Sequence, residues 1–249
     1  MPNELPLSPG AAAKAPSVTA LLHRRAVYLF GALLALTVPA FWESYFFPPK
    51  VEADYHVHFH GVSMFLWVIL LVAQGTLIRT GRRDLHRALG KLSYAVAPAM
   101  IVSTLLLVNY RLKQAINPEV LYFFYLQAVL LAIFTFSYVQ AIRHRHVPAL
   151  HARYMVCTAL AVLDPIVARV LFFQLGTVPP MMQVATFAII DALLLFLILR
   201  ERERESGPAT RVFPTMLGLF VAAEIPQFFV PAMGWWRVFA EWYGSLPLI

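Results

Sequence analysis

Half of the eight histidines lie between residues 56 and 91, on either side of a long apolar segment. His56, His58 and His60 precede that segment, and His86 follows it within a strongly basic sequence. Imidazole is the commonest protein ligand of transition metals and also binds haem iron, so this stretch points to metal or haem chemistry. The chain has no phosphate-binding glycine loop, nucleophile elbow or H-E-x-x-H helix, so no motif assigns an enzymatic reaction.

The first three of these histidines could form a metal site at one end of a membrane span. His56 and His60 are one helical turn apart and share a face of the helix, whereas His58 points elsewhere. A zinc or copper site needs further ligands, and the preceding loop offers Glu43, with Glu52 and Asp54 as alternatives. A transition-metal site formed by His56, His60 and Glu43 is therefore one prediction. Histidines at a membrane interface also serve as amphipathic anchors, which is the competing interpretation.

A second pair of histidines points to haem. His86 and His151 open the third and fifth predicted spans, which run in the same direction, so both rings enter the membrane from the same side. Two such imidazoles can bind one haem iron from opposite faces. Nearby guanidinium groups could pair with the haem propionates: Arg82, Arg83, Arg87 and Arg153. The alternative is that both histidines lie in loops near the lipid headgroups.

The sequence around these histidines resembles a known family. The letters HG at 60–61, followed by SMFLWVILLVAQGTLIRTG, LHRALG at 85–90 and HARYM at 151–155, are similar to the ascorbate-dependent transmembrane di-haem cytochrome b family. The same arrangement also resembles bacterial multispan membrane proteins of unknown function. The cytochrome resemblance implies haem b as cofactor and three candidate ligands: His60, His86 and His151. The fourth predicted span has no histidine, so the resemblance supports at most one haem.

Charged residues inside the last three spans form a separate constellation. Asp164, Asp191 and Glu224 all fall near the predicted membrane midplane, where an ionised side chain costs on the order of 2.5–3.5 kcal/mol. Arg169 is the nearby cation, and its offset from Asp164 predicts pairing with Asp191 or Glu224 on another helix. Pro165 and Pro226 lie beside two of the acids and free backbone carbonyls there. Broken helices with midplane acids are typical of ion sites in transporters, although an interhelical network that only holds the bundle is the alternative.

Composition predicts the fold that positions these residues. Hydrophobic residues make up 60% of the chain and charged residues 13%, and the mean hydropathy is +0.68, so the lipid bilayer is the main solvent. We predict an all-α bundle of seven transmembrane helices, with residues 1–22 as a disordered cytoplasmic tail and 23–249 as one membrane domain. The predicted spans cover about 26–47, 57–79, 92–110, 119–142, 154–176, 179–200 and 212–233.

The basic residues predict the orientation. Of the twenty Lys and Arg residues, fifteen fall in the tail and the alternate connections on one side, and Arg169 lies within the membrane. The other side has only four: Lys50, Arg111, Lys113 and Arg237. The positive-inside rule therefore places the N-terminus in the cytoplasm and the C-terminus outside, and predicts the inner membrane of a bacterium as the location. Because the arginines lie between apolar segments, nucleic acid is not an expected partner.

Three functions follow from these residues. The first is an inner-membrane protein with histidine-bound haem b or a transition metal that transfers electrons. The second is a proton- or ion-coupled transporter that uses the midplane carboxylates. The third is an accessory subunit without chemistry of its own, which works beside a membrane partner or as a homo-oligomer.

Overall fold

The computed structural model of the chain describes residues 18–47, 54–202 and 206–248. Over these residues the fold is all-helical, without a strand, and seven helices are long and apolar enough to cross a membrane. The predicted fold class and number of spans are confirmed. The candidate spans are Val18–Phe46, Tyr55–Arg79, Arg83–Gln114, Pro118–Arg143, Pro148–Gln174, Met181–Arg202 and Pro208–Ala232.

The α-helices follow one another along the chain as α1 Val18–Phe41, α2 Tyr55–Arg79, α3 Arg83–Gly90, α4 Ser93–Gln114, α5 Pro118–Arg143, α6 Pro148–Arg169, α7 Met181–Arg202, α8 Val212–Gln227 and α9 Gly234–Ser245. A π-helical turn continues α1 over Trp42–Phe46, and another continues α6 over Val170–Gln174.

Helix boundaries follow local chemistry. Asp54 begins α2, because its carboxylate accepts the backbone N–H of His56 at 2.9 Å, as an N-cap residue does. Asn117 caps α5 in the same way, at 2.9 Å from the Val120 nitrogen, and Pro118 follows as its first residue. Gly81 has a φ of +74° and turns the chain from α2 into α3.

The structure corrects three details of the sequence prediction. The predicted tail of residues 1–22 is too long, because α1 already begins at Val18; residues 1–17 lie outside the described residues. The short helices α3 and α9 were not predicted. Both are far shorter than a span, and α3 has an amphipathic, arginine-rich sequence that hydropathy alone assigns to a loop.

The bundle has one main core and a smaller one. Buried apolar side chains from α1, α2 and α4–α8 form the main core, with Trp67 at 0% exposure in contact with Phe134 and Tyr138. The smaller core packs α9 onto α4 and α5, where the Trp236 indole donates to the Leu121 carbonyl at 3.1 Å. Many large apolar side chains point outward, including Leu199 at 59% exposure. Such a surface fits a multi-pass protein surrounded by lipid.

Two ends of the bundle position the polar residues. The starts of α2, α5 and α7 and the ends of α4, α6 and α8 meet at one end, because successive spans run in opposite directions. This is the predicted outer end. The start of α6, the end of α7 and the whole of α3 lie at the other, the predicted cytoplasmic end.

Candidate functional site

The three outer histidines contact three different partners. The His56 backbone N–H and Nδ1 both bond to Asp54, and its ring stacks on Tyr110 with centroids 4.8 Å apart. His58 Nδ1 lies 2.6 Å from the Tyr45 hydroxyl. The backbone N–H of His56 also holds the pKa of the Asp54 carboxyl below its ordinary value.

His60 faces α4, one turn deeper than His56. Its Nδ1 lies 3.4 Å from Ser103 Oγ and 3.3 Å from Thr104 Oγ1. His56 also meets α4, through Tyr110, so the two histidines share a helix face as predicted.

The structure does not assemble the predicted metal site of His56, His60 and Glu43. Glu43 is exposed on the π-helical turn, and each histidine is bonded to a different neighbour. Among residues 18–47, 54–202 and 206–248, no three His, Cys, Asp or Glu side chains converge as metal ligands. Glu52, the alternative ligand, lies outside the described residues.

His86 and His151 do approach each other at the predicted cytoplasmic end. Their ring centroids are 6.4 Å apart and the ring planes are nearly perpendicular, at 88°. The His151 Nδ1–H donates to the Ala141 carbonyl at 2.9 Å, which leaves Nε2 able to accept or to bind a metal. The two rings are therefore neighbours, and their sharing of one iron stays a prediction.

The environment of His86 does not fit an iron ligand. The side-chain amide of Gln74 bridges His86 and Gly90: with its oxygen oriented to accept the Gly90 N–H at 3.0 Å, its nitrogen donates to the His86 carbonyl at 3.1 Å and to His86 Nδ1. An accepting Nδ1 puts the proton of the neutral ring on Nε2, whereas a metal-bound histidine normally donates through its second nitrogen. Of this pair, only His151 has the hydrogen bonding of a haem ligand. His60, the third candidate, belongs to the opposite end of the bundle, about 21 Å from Gln74 along α2.

The predicted midplane acids lie on three helices that pack against one another, α6, α7 and α8. Asp164 accepts a hydrogen bond from Gln183 Nε2 at 2.9 Å and is fully buried. Asp191 lies on α7 and Glu224 on α8, two helices that pack against each other. Gln227, one turn after Glu224, donates to the Tyr122 carbonyl at 3.1 Å.

These side chains carry buried polar atoms that have no partner. In the part of the chain that the structure describes, six such atoms belong to this group: Asp164 Oδ1, Gln183 Oε1, Asp191 Oδ1, Glu224 Oε1, Gln227 Oε1 and the Tyr122 hydroxyl. Gln183 and Asp191 are about 12 Å apart along α7, so the group extends lengthwise through the outer half of the bundle. We name these six residues the polar column. All six orphan atoms are oxygens: two belong to amides and can only accept hydrogen bonds or bind a cation, and three belong to carboxyl groups, which can also bind a proton.

Arg169 does not pair with Asp191 or Glu224, so that prediction is wrong. Its guanidinium donates to the Pro165 carbonyl at 3.0 Å and lies over the Phe41 ring, 4.6 Å from the centroid. The cause is geometric: Arg169 faces α1, whereas the two acids lie on α7 and α8. The guanidinium thus contacts a carbonyl of its own helix and an aromatic face of α1.

The ion pair inside the bundle is a different one, and sequence reasoning missed it. Arg153 Nε donates to Glu201 Oε1 at 2.6 Å, and the two side chains are 0% and 2% exposed. Glu201 lies within the alternating run RERERE, which is typical of a solvated helix end. This pattern did not indicate that the Glu201 side chain is buried. Arg153, in the HARYM sequence one turn inside α6, was the available hint.

Comparison with known proteins gives no identification: no family model, curated protein or solved structure matches this chain.

Proposed function

We propose that this chain is a proton- or ion-coupled transporter whose ion site is the polar column. One observation carries the proposal: the orphaned buried oxygens on four neighbouring helices of the outer half. A buried polar atom without a partner costs about 1–3 kcal/mol, so native proteins rarely tolerate several in one place. A network that only held the helices together would satisfy its own members. A proton, a hydrated cation or a chain of water molecules that crosses the membrane requires such oxygens as hydrogen-bond acceptors or as ligands.

The chemistry of the column fits a positively charged cargo. Two carboxyl groups can hydrogen-bond to each other only if at least one carries a proton, so Asp191 and Glu224 together hold a bound proton when in contact. Loss of that proton leaves two adjacent anions, which repel each other or bind a cation in its place. Asp164 and the amide oxygens of Gln183 and Gln227 continue the oxygen-lined route toward the outer end.

The helices at this depth support the same function. Pro165 follows Asp164 directly within α6, and Pro226 lies two residues after Glu224 within α8. Proline removes a backbone hydrogen bond inside a helix, which frees a carbonyl oxygen one turn earlier. Broken helices beside buried acids are the usual construction of ion sites in transporters. The proposal keeps the bacterial inner membrane as the location, because the distribution of arginines is that of a cytoplasmic membrane protein.

Ion flux into proteoliposomes tests this function. With the protein reconstituted, a pH or Na⁺ gradient should drive flux that a pH-sensitive or Na⁺-sensitive dye detects. Asp191→Asn and Glu224→Gln should each reduce this flux about tenfold or more, because each amide keeps the shape but cannot bind a proton or cation by charge. Glu241→Gln is the matched control, because Glu241 is an exposed acid at the same end that pairs with Arg237.

The outcomes are distinct. Flux that persists in both acid variants would contradict the proposal. A flux that follows the proton gradient alone identifies the proton as cargo, whereas one that requires Na⁺ identifies a metal cation.

The haem function is the second candidate, and the 6.4 Å spacing of the His86 and His151 rings is the observation that favours it. Against it stands the hydrogen bond from Gln74 to His86 Nδ1. We therefore expect protein purified from haem-replete cells to show no Soret band in its visible spectrum. A Soret band that disappears in His86→Ala and His151→Ala, but persists in the control His144→Ala, would restore haem binding and electron transfer as the function.

A further inference from the structure

The buried ion pair of Arg153 and Glu201 lies at the predicted cytoplasmic end of the bundle. Besides the bond to Glu201, the Arg153 guanidinium donates to Thr19 Oγ1 at 3.1 Å and to the Ala149 carbonyl at 2.8 Å. It also lies 5.9 Å from the centre of the Phe213 ring. One guanidinium thus joins α1, α6, α7 and α8 at a single point.

The pair and the polar column occupy opposite halves of the same helices. Asp191 and Glu201 are about 15 Å apart along α7, and Arg153 and Asp164 are about 16 Å apart along α6. Between them, the side chains that these helices turn toward the interior of the bundle are mostly apolar, among them the buried Leu160, Leu194 and Leu197. An ion that enters the column from the outer end would therefore meet an apolar layer and then the ion pair.

We propose that Arg153 and Glu201 form the inner gate of this transporter and must separate before an ion can leave the column on the cytoplasmic side. This inference rests on the proposed function and identifies the two side chains that control ion release from the column. In the arrangement described here the oxygens of the column and the ion pair are both buried, which is an occluded state. Opening requires Glu201 on α7 to move away from Arg153 on α6.

Physical chemistry favours a gate over a purely stabilising contact at this position. A buried ion pair is weak evidence for stability, because apolar side chains of similar volume often hold a fold equally well. A charge pair has a property that apolar packing lacks. When it separates into a hydrated passage, water solvates both ions, so the open state recovers most of the energy lost with the contact. Two arrangements of comparable free energy are what a gate needs.

The chain contains its own reporter for this opening. Cys157 is the single cysteine of the sequence, lies one turn after Arg153 on α6, and is 0% exposed. Because it follows Arg153 by four residues, the Cys157 thiol shares a face of α6 with Arg153 and lies about 6 Å deeper along the helix. A reagent that reaches it from the cytoplasmic side must pass Arg153 and Glu201.

The experiment measures how fast a charged, membrane-impermeant maleimide labels Cys157 in inside-out vesicles of the full chain. Wild type should label slowly, and Glu201→Gln and Arg153→Gln should label about tenfold faster, because each removes one charge of the pair. Thr19→Ala, which removes a hydrogen-bond acceptor of Arg153 but neither charge of the pair, should give a smaller increase. Arg87→Gln is the control, because it breaks an exposed ion pair with Asp84 at the same end.

Right-side-out vesicles distinguish opening from unfolding. Gate variants should remain protected from reagent applied outside, and their melting temperatures should stay above the labelling temperature. Labelling at the wild-type rate from the inside would overturn the gate, as would equal acceleration from both sides. Because labelling requires no transport, an accelerated rate supports the gate even if the acid variants leave ion flux unchanged, so the two proposals can fail separately.

Discussion

Replacing Arg153 with Leu is expected to destabilise the folded bundle by about 3–5 kcal/mol, the usual result of removing one partner of a buried ion pair. Glu201 would remain buried without its guanidinium, and Thr19 and the Ala149 carbonyl would lose a donor. Glu201→Leu should have a comparable effect, because the Arg153 guanidinium would then be buried without its carboxylate. Thermal unfolding in detergent, or resistance to SDS, measures the change.

The double variant Arg153→Leu with Glu201→Leu separates the two causes of that loss. It should be more stable than either single variant, because no uncompensated charge remains inside the bundle. Arg87→Leu, which breaks the exposed pair with Asp84, should change the free energy of unfolding by at most about 1 kcal/mol. Equal stability of wild type and Arg153→Leu would contradict the burial of this pair.

Trp67→Ala should cost about 3–5 kcal/mol, the range for removing a large aromatic side chain from a core. The Trp67 indole is fully buried and lies edge-on to Phe134 and Tyr138, with centroids 5.1 and 5.6 Å away. The Tyr138 hydroxyl donates in turn to Ser93 at 3.2 Å, so the group joins α2, α4 and α5. A cavity there would leave all three helices without their common contact.

The neighbouring Leu66 provides the control, because its side chain is 46% exposed toward lipid. Leu66→Ala should shift the melting temperature only slightly, whereas Trp67→Ala should shift it by many degrees. Similar melting temperatures for the two variants would show that Trp67 packs no more tightly than a lipid-facing residue.

Sequence alone predicted the spans well, because each is an apolar run of membrane length bounded by charged or turn residues. The start of α1 was misplaced, since His23, Arg24 and Arg25 suggested a flank in water although α1 contains them. The helix α9 was missed because twelve residues cannot span a membrane and its aromatic residues resemble a loop at an interface.

The candidate site was only partly predictable, for a physical reason. Helical spacing relates residues on one helix, so the shared face of His56 and His60 followed from the sequence. Contacts between helices depend on rotation and packing, which hydropathy does not encode. Arg169 therefore bonds to Pro165 instead of a distant acid, and Glu201 is buried despite its charged neighbours. Three buried glutamines interrupt otherwise apolar runs: Gln74, Gln183 and Gln227. They were the sequence signal that could have located the surroundings of His86 and the polar column.

The contact between α1 and α2 has a mechanical consequence. Gly75 lies so close to α1 that a Cβ atom added there would stand 3.2 Å from the Val27 Cα. Arg79 lies over the Tyr28 ring at 4.5 Å, and His58 bonds to Tyr45 at the other end. Backbones in direct contact, with fixed contacts at both ends, cannot slide past each other without a clash. The two helices therefore form one rigid unit, and the transport cycle that we propose would have to move the helices packed against this unit.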